Sequence, residues 1–314
     1  MTLPTLCVIA AAGAALLFLT AARWPTAWLP RGVGVGFVAL GGIVWTLFVW
    51  SFLIEPEMLI VRHVTIDSAT WRGPPLRIGL ISDTHAGAPH GRPQRLRAVM
   101  ERMNEERPDV VLLAGDYIGG HLFMRDRGAD ERAGIAEGLA AFGELRAPLG
   151  VHAVLGNHDW WYDGAATAAA LRAARVDVLQ NSGTRVQRAG GAFWIGGLAS
   201  VDRLAGRPDA AAALSGARDG EPVLMLMHEP DSWPRAPDRV ALSLAGHTHC
   251  GQVDLPFVGR PILPSAASYR WPCGLYREDQ RQLFVTGGVG VSKFPIRFNQ
   301  PPEIVIITLR QSRR

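Results

Sequence analysis

Five of the short apolar runs in this chain end in an aspartate, an asparagine or a histidine, and that regularity limits the fold more than any other feature. Arg77–Ser82 is followed by Asp83-Thr84-His85, and Asp109–Ala114 by Gly115-Asp116. Val151–Leu155 leads into Gly156-Asn157-His158-Asp159, Val223–Met227 into His228, and Val240–Ala245 into Gly246-His247-Thr248-His249. Short apolar runs alternating with longer helical patterns are the mark of an α/β domain. In such sheets ligands bind at the carboxyl ends of the strands, so these side chains are expected on one rim. The same reading places further strands at Leu59–Ile66, Phe193–Leu198, Gln282–Thr286 and Glu303–Leu309. It places helices at Arg92–Glu106, Glu131–Leu145, Ala165–Ala174 and Pro208–Leu214.

The rim holds imidazoles, carboxylates and one amide oxygen, a donor set suited to Mn, Fe or Zn and unlike a thiolate-held structural zinc. So many groups exceed the needs of one ion, and two divalent ions sharing a bridging carboxylate are the economical expectation. Any one of these residues alone would be an ordinary hydrogen-bonded histidine or a turn aspartate; the ordered set is what carries the inference. His63, His90, His121 and His152 lack such context and are read as structural.

Ahead of this domain, Leu3–Ala22 and Gly32–Ile54 contain no charged residue. Each is close to the ~20 residues that cross a ~30 Å hydrocarbon layer. The expectation is two transmembrane helices, at about 3–22 and 32–54, forming a membrane anchor over 1–56, with the catalytic domain over 57–314. A cleaved signal peptide fits less well, because Met1–Pro4 lacks a positive region and a second apolar run follows. A hairpin of core helices is disfavoured by the lack of a polar stripe. The Gly32–Gly36 small-residue pattern suits close helix packing. Two arginines in the Arg23–Arg31 loop orient that loop to the cytoplasm. The expected location is therefore the bacterial inner membrane, multi-pass, with the catalytic domain extracytoplasmic.

Net charge is +4, and no dense basic run appears, so nucleic acid is not an expected partner. Cys7 lies in the first apolar run; Cys250 and Cys273 either pair or stay as thiols, depending on the redox compartment.

At the strand-end residues the sequence resembles the calcineurin-like metallophosphoesterase superfamily, in the order Asp83-x-His85, Gly115-Asp116, Gly156-Asn157-His158-Asp159, His228 and Gly246-His247-x-His249. Gly246–Pro256, Gly274-Leu275-Tyr276, Gly288–Arg297 and Pro302-Glu303-Ile304 look like a membrane-associated bacterial subgroup. That subgroup includes proteins similar to phosphodiesterases and to lipid-linked UDP-sugar pyrophosphatases. The resemblance implies a four-layer α-β-β-α sandwich of two mixed sheets. It implies that Asp83, His85 and His249 hold one metal, that Asn157, His228 and His247 hold the second, and that Asp116 bridges them. His158 would stand over the phosphate and Asp159 would orient its imidazole or cap the following helix. Cys250 departs from the family pattern, which has glycine there, and costs strain if that backbone needs a positive φ.

The function so implied is hydrolysis of a phosphodiester or pyrophosphate bond, with a membrane-derived or lipid-linked phosphate ester as the expected substrate. A membrane-anchored general phosphomonoesterase and a non-enzymatic scaffold are the alternatives. Substrate choice is expected to come from the Tyr117–Asp130 and Pro256–Trp271 loops. Trp160, Trp161 and Tyr162 are read as loop packing before they are read as a wall for an acyl chain.

Overall fold

The computed structural model describes residues 3–22 and 31–312. Strands β1 (Ile60–Ser68), β2 (Leu76–Ile81), β3 (Val110–Leu113), β4 (Val151–Ala153) and β5 (Asp177–Val178) share one sheet with a C-terminal strand, Glu303–Gln311. The second sheet holds β6 (Ser182–Arg188), β7 (Gly191–Gly197), β8 (Val223–Leu226), β9 (Val240–Ala245), β10 (Gly274–Glu278) and β11 (Arg281–Val285); the C-terminal strand is then β12. The strand orders are β1-β12-β2-β3-β4-β5 and β10-β11-β9-β8-β7-β6. β2, β3, β4 and β5 run parallel, as do β7, β8, β9 and β11, whereas β12 against β2, β6 against β7 and β10 against β11 are antiparallel. Both sheets are mixed, as expected.

Strict alternation explains the layering, because successive side chains of a strand point to opposite faces. Ile81, Val111 and Leu113 pack with Leu96, Met100 and Met103 of α3 (Pro93–Glu105), Ile135 and Leu139 of α4 (Ala129–Ala140), and Leu171 of α5 (Asn157–Ala173). Their neighbours Leu80, Val110 and Leu112 face the other way and meet Leu224, Leu226, Leu242, Leu244 and Phe284 between the sheets. Trp194, Met225, Trp233, Trp271 and Val285 form a third cluster on the outer face of the second sheet. Strands buried on both faces read as unbroken apolar runs, which is why the central strands stand out in the sequence.

The N-terminal segment requires a correction. The first apolar run lies in helix Leu3–Ala22 and the second in helix Arg31–Val49, here α1 and α2 of the chain-order series. Among the described residues only one helical stretch, Val33–Glu57, is long and apolar enough to cross a membrane. In the first helix the described residues give a shorter apolar helix, Cys7–Leu17. The two-span, multi-pass arrangement and the orientation built on it therefore fall. The loop that carried the orientation, apart from Arg31, lies outside the described residues. Lack of charge did not separate a span from a helix packed against one: Trp45 Nε1 donates to Ala10 O at 2.8 Å. Gly13 sits under the Trp45 ring, where a Cβ would come within 2.9 Å.

Candidate metal centre

Because β2, β3 and β4 are parallel, as are β8 and β9, the loops leaving them deliver every expected rim residue to one edge of the sandwich. Three groups of ligand-capable atoms each lie within 4.8 Å of one another: Asp83, His85 and His249; Asp116, His228 and His247; and His85, Asp116 and His158. The first two match the two sets expected from the sequence, apart from Asn157. The third sets His158 over the junction of the other two, its ring edge-on to His85 with centroids 4.8 Å apart.

The turns that achieve this are conformationally costly. Asp83, His85, Asp116, His247 and His249 have φ of 54°, 48°, 55°, 69° and 50°, a left-handed region costing an L-residue roughly 1–2 kcal/mol. Such strain concentrates at functional sites and persists where the surroundings over-determine it. Here one device is Asp159, whose carboxylate accepts from the amides of Asp116 (2.9 Å), Tyr117 (2.9 Å), Ile118 (3.2 Å) and Gly156 (2.9 Å). Gly156 must be glycine, since a Cβ there would stand 2.2 Å from Asp116 Oδ1. Asp159 thus caps α5 and knits the Asp116 turn, and the expected contact with the His158 imidazole is absent. Gly120 O does that work, 2.8 Å from His158 Nδ1, which leaves Nε2 facing the rim 3.4 Å from Ser292 Oγ.

On the second sheet, Cys250 has φ 50°, the strain anticipated for a non-glycine residue here. Its sulfur is bonded to Cys273, and Thr248 Oγ1 donates to Pro272 O at 2.7 Å. Gly288 and Gly290 press against Asp83. Buried Arg297 holds their loop by donating to the carbonyls of Gly287, Gly288 and Gly290.

The donor set fits metal ions. His228 Nδ1 is 2.7 Å from Ala114 O, so its Nε2 offers a lone pair 3.1 Å from Asp116 Oδ2 and 3.2 Å from His247 Nδ1. The Nε2 atoms of His85 and His249 face each other at 3.0 Å, and Asn157 Oδ1 is buried without a hydrogen-bond partner. Acceptors this close need positive charge among them. Burial opposes protonation of His228, yet the Asp116 carboxylate outweighs it and holds this imidazole well above its usual range, so without an ion Nε2 carries a proton that a bound cation would displace to use the lone pair. Burial pushes His85 and His247 down to about 3 and His249 well below the usual value. Those rings stay neutral, the form that binds a cation.

A cavity of about 570 Å³ opens from the cluster. Asp116, Asn157, His158, His247 and His249 form its floor, and Trp161, Pro261, Ile262, Leu263 and Phe294 its walls, with Phe52 from the end of the N-terminal apolar helix. His121, set aside as structural in the sequence, also lines it, with its ring 5.0 Å from that of His158. Its signal was position alone, directly after the Gly119-Gly120 pair that follows the Asp116 turn. Of the three aromatics after Asp159, Trp161 reaches the cavity and donates to Asp202 (3.0 Å), while Tyr162 joins the core.

The sequence model of the family described as calcineurin-like phosphoesterase matches residues 76–251. The metallophosphoesterase YkuE of Bacillus subtilis is 30% identical over 82% of this chain and 88% of its own length. A Danio rerio transmembrane protein with metallophosphoesterase domain is 32% identical over 82% of this chain, which spans 58% of that protein. Phosphodiesterase YaeI of Escherichia coli is 30% identical over 65% of this chain and 72% of its own. With two ligand triads in place at the sheet edge, this chain belongs to the calcineurin-like phosphoesterase family and is a metal-dependent hydrolase.

Proposed function

We propose that the chain hydrolyses a phosphodiester or pyrophosphate bond in an amphiphilic, lipid-linked substrate, with residues 57–314 as the catalytic domain. The supporting observation is the single cavity that joins the ligand cluster to an apolar wall ending at Phe52. A polar phosphate at the floor and an acyl or prenyl chain along Trp161, Ile262 and Phe294 would satisfy both chemistries of the lining. The name of the Escherichia coli relative, a phosphodiesterase, favours the diester form.

In this reading Asp83, His85 and His249 would hold one divalent ion and Asn157, His228 and His247 the second, with Asp116 shared between the two sets. Two bound ions would supply Lewis acidity that lowers the pKa of water and offsets charge on the phosphoryl oxygens. His158, aimed by Gly120 O, presents Nε2 to the leaving oxygen and is placed to give it a proton. Asp159 keeps the Asp116 turn in its strained geometry. The apolar walls exclude competing water, which strengthens each of these electrostatic contacts.

The test is turnover of the full chain in detergent with Mn²⁺, comparing bis-p-nitrophenyl phosphate with p-nitrophenyl phosphate and then with a lipid-linked pyrophosphate. Metal-dependent cleavage of the diester and the lipid substrate supports the proposal. A preference for the monoester with no lipid turnover would reject it in favour of a general phosphomonoesterase.

A further inference from the structure

Phe257 has a relative exposure of 109% and Val258 of 69%, at the tip of a hairpin that nothing in the catalytic reading uses. Leu255 and Gly259 close this hairpin through paired backbone hydrogen bonds of 2.9 and 2.8 Å. Phe257 has φ 66°, a conformation that a bulky L-residue adopts rarely. Inside the chain, no burial of the ring compensates for it. A tight turn that holds an aromatic and a β-branched side chain away from the protein carries weight only as part of a larger apolar surface, the kind that marks an interaction site.

The position of the hairpin says which partner. The end of the N-terminal apolar helix is bonded to the segment after Phe294: Arg297 N donates to Ser51 O (2.9 Å) and Gln300 N to Glu55 Oε1 (2.7 Å). The same segment is bonded to the base of the hairpin, with Phe298 N on Gln252 O (2.8 Å), Asp254 N on Phe298 O (2.9 Å) and Asn299 Nδ2 on Asp254 O (3.0 Å). Helix end and hairpin base are therefore fixed to one short piece of backbone. Along the helix Val35, Leu40, Ile43 and Leu47 are exposed, as lipid-facing residues would be. At its end, half-exposed Trp50 donates to Glu55 Oε2 at 2.7 Å, the amphipathic arrangement favoured at the headgroup level. Exposed Ile262 and Phe294 continue the apolar surface, and both line the mouth of the cavity. Lys293, next to Phe294 at the cavity lining, supplies positive charge for anionic headgroups; Arg260 is paired with Asp254 at 3.4 Å.

We infer that the Leu255–Gly259 hairpin inserts Phe257 and Val258 into the lipid bilayer beside the apolar helix, holding the domain at two points with its cavity mouth against the headgroups. This rests on the helix being a membrane segment and is independent of the hydrolytic reading. The helix end is already bonded to the domain at Ser51 and Glu55; a second, inserted point adds a further constraint on which face meets the membrane.

The experiment uses the full chain with Cys7→Ser in vesicles of phosphatidylcholine and phosphatidylglycerol, kept non-reducing so that Cys250 and Cys273 stay paired. Phe257→Cys, Leu40→Cys and Asp219→Cys, the last exposed on a loop of the second sheet, each receive an environment-sensitive fluorophore. Insertion predicts that the probes at 257 and 40 shift to the blue, resist aqueous iodide and are quenched by lipid-borne nitroxide, while the probe at 219 shows the reverse. If 40 behaves as a membrane site and 257 matches 219, the hairpin inference is overturned and the helix reading survives. If neither 40 nor 257 meets lipid, both are overturned. If 257 is shielded from iodide but untouched by the lipid nitroxide, and the shielding persists in detergent, the occupant is a second copy of the chain and the bilayer proposal is lost.

Discussion

The two sheets contribute to the metal centre in different ways. The first supplies all the carboxylates and the amide, Asp83, Asp116 and Asn157, together with His85; the second supplies imidazoles, His228, His247 and His249. Their supports differ as well. The turns of the first are held by hydrogen bonds, chiefly the amides gathered by Asp159, whereas the His249–Gly251 turn of the second is tied covalently through Cys250 and Cys273. Each expected ligand triad takes members from both sheets, so the ions would act as cross-links between the layers as well as catalysts.

The largest effect should follow removal of Asp116, the carboxylate proposed to bridge the two ions. Asp116→Asn keeps the shape but removes the negative charge of that side chain, and turnover on bis-p-nitrophenyl phosphate should fall about 10³-fold or more, roughly 4 kcal/mol on the barrier. Metal content measured on the purified variant should drop with it. Unchanged turnover would mean that the two sheets do not share a bridging group.

Next comes the support of the first sheet. Asp159→Ala strands several buried amides, each costing about 1–3 kcal/mol when unsatisfied, and a loss of about 3–4 kcal/mol in urea unfolding is expected. A loss under 1 kcal/mol would show that the Asp116 turn keeps its strained shape unaided, and would weaken the contrast between the sheets. On the second sheet, Cys273→Ser opens a loop with a sequence separation of 23 residues, worth about 3–3.5 kcal/mol in chain entropy. The turn at Cys250 then has no tie to offset its left-handed φ, so the metal held by His249 should be the one that weakens.

The sequence made the inner strands and their strand-end residues legible for one physical reason: strands buried on both faces must be apolar throughout, so a polar residue at their end is conspicuous. The strands it missed, Asp177–Val178, Ser182–Arg188 and Gly274–Glu278, are edge strands of the two sheets. Ser-Gly-Thr-Arg-Val-Gln-Arg carries little apolar signal because one side of it faces solvent. Asp159 was legible as important but not in its role, since which amides a carboxylate collects depends on left-handed turns that no local pattern announces. His121 was invisible for the same reason. At the N-terminus, composition counted apolar residues without telling a helix long and apolar enough to cross a membrane from one packed against Trp45 of its neighbour.

The smallest expected effect is also the most direct test that ions join the two layers. A ligand that binds only the folded state stabilises it by about 2.7 kcal/mol at a free concentration of 100 times its dissociation constant. Chelation of the Mn²⁺-loaded chain should therefore lower the unfolding midpoint, and re-addition should restore it. The contrast lies in the single-site variants. His247→Ala removes a second-sheet ligand from the Asp116 group, and His249→Ala removes the lone second-sheet ligand from the Asp83 group. If ions cross-link the layers, each variant should lose part of the metal and part of the chelation-sensitive stability, while the Asp159 support stays intact in both. If instead His249→Ala leaves metal and midpoint unchanged, the Asp83 group is complete within the first sheet. The covalent tie at Cys250 would then serve the shape of the cavity wall and not the metal.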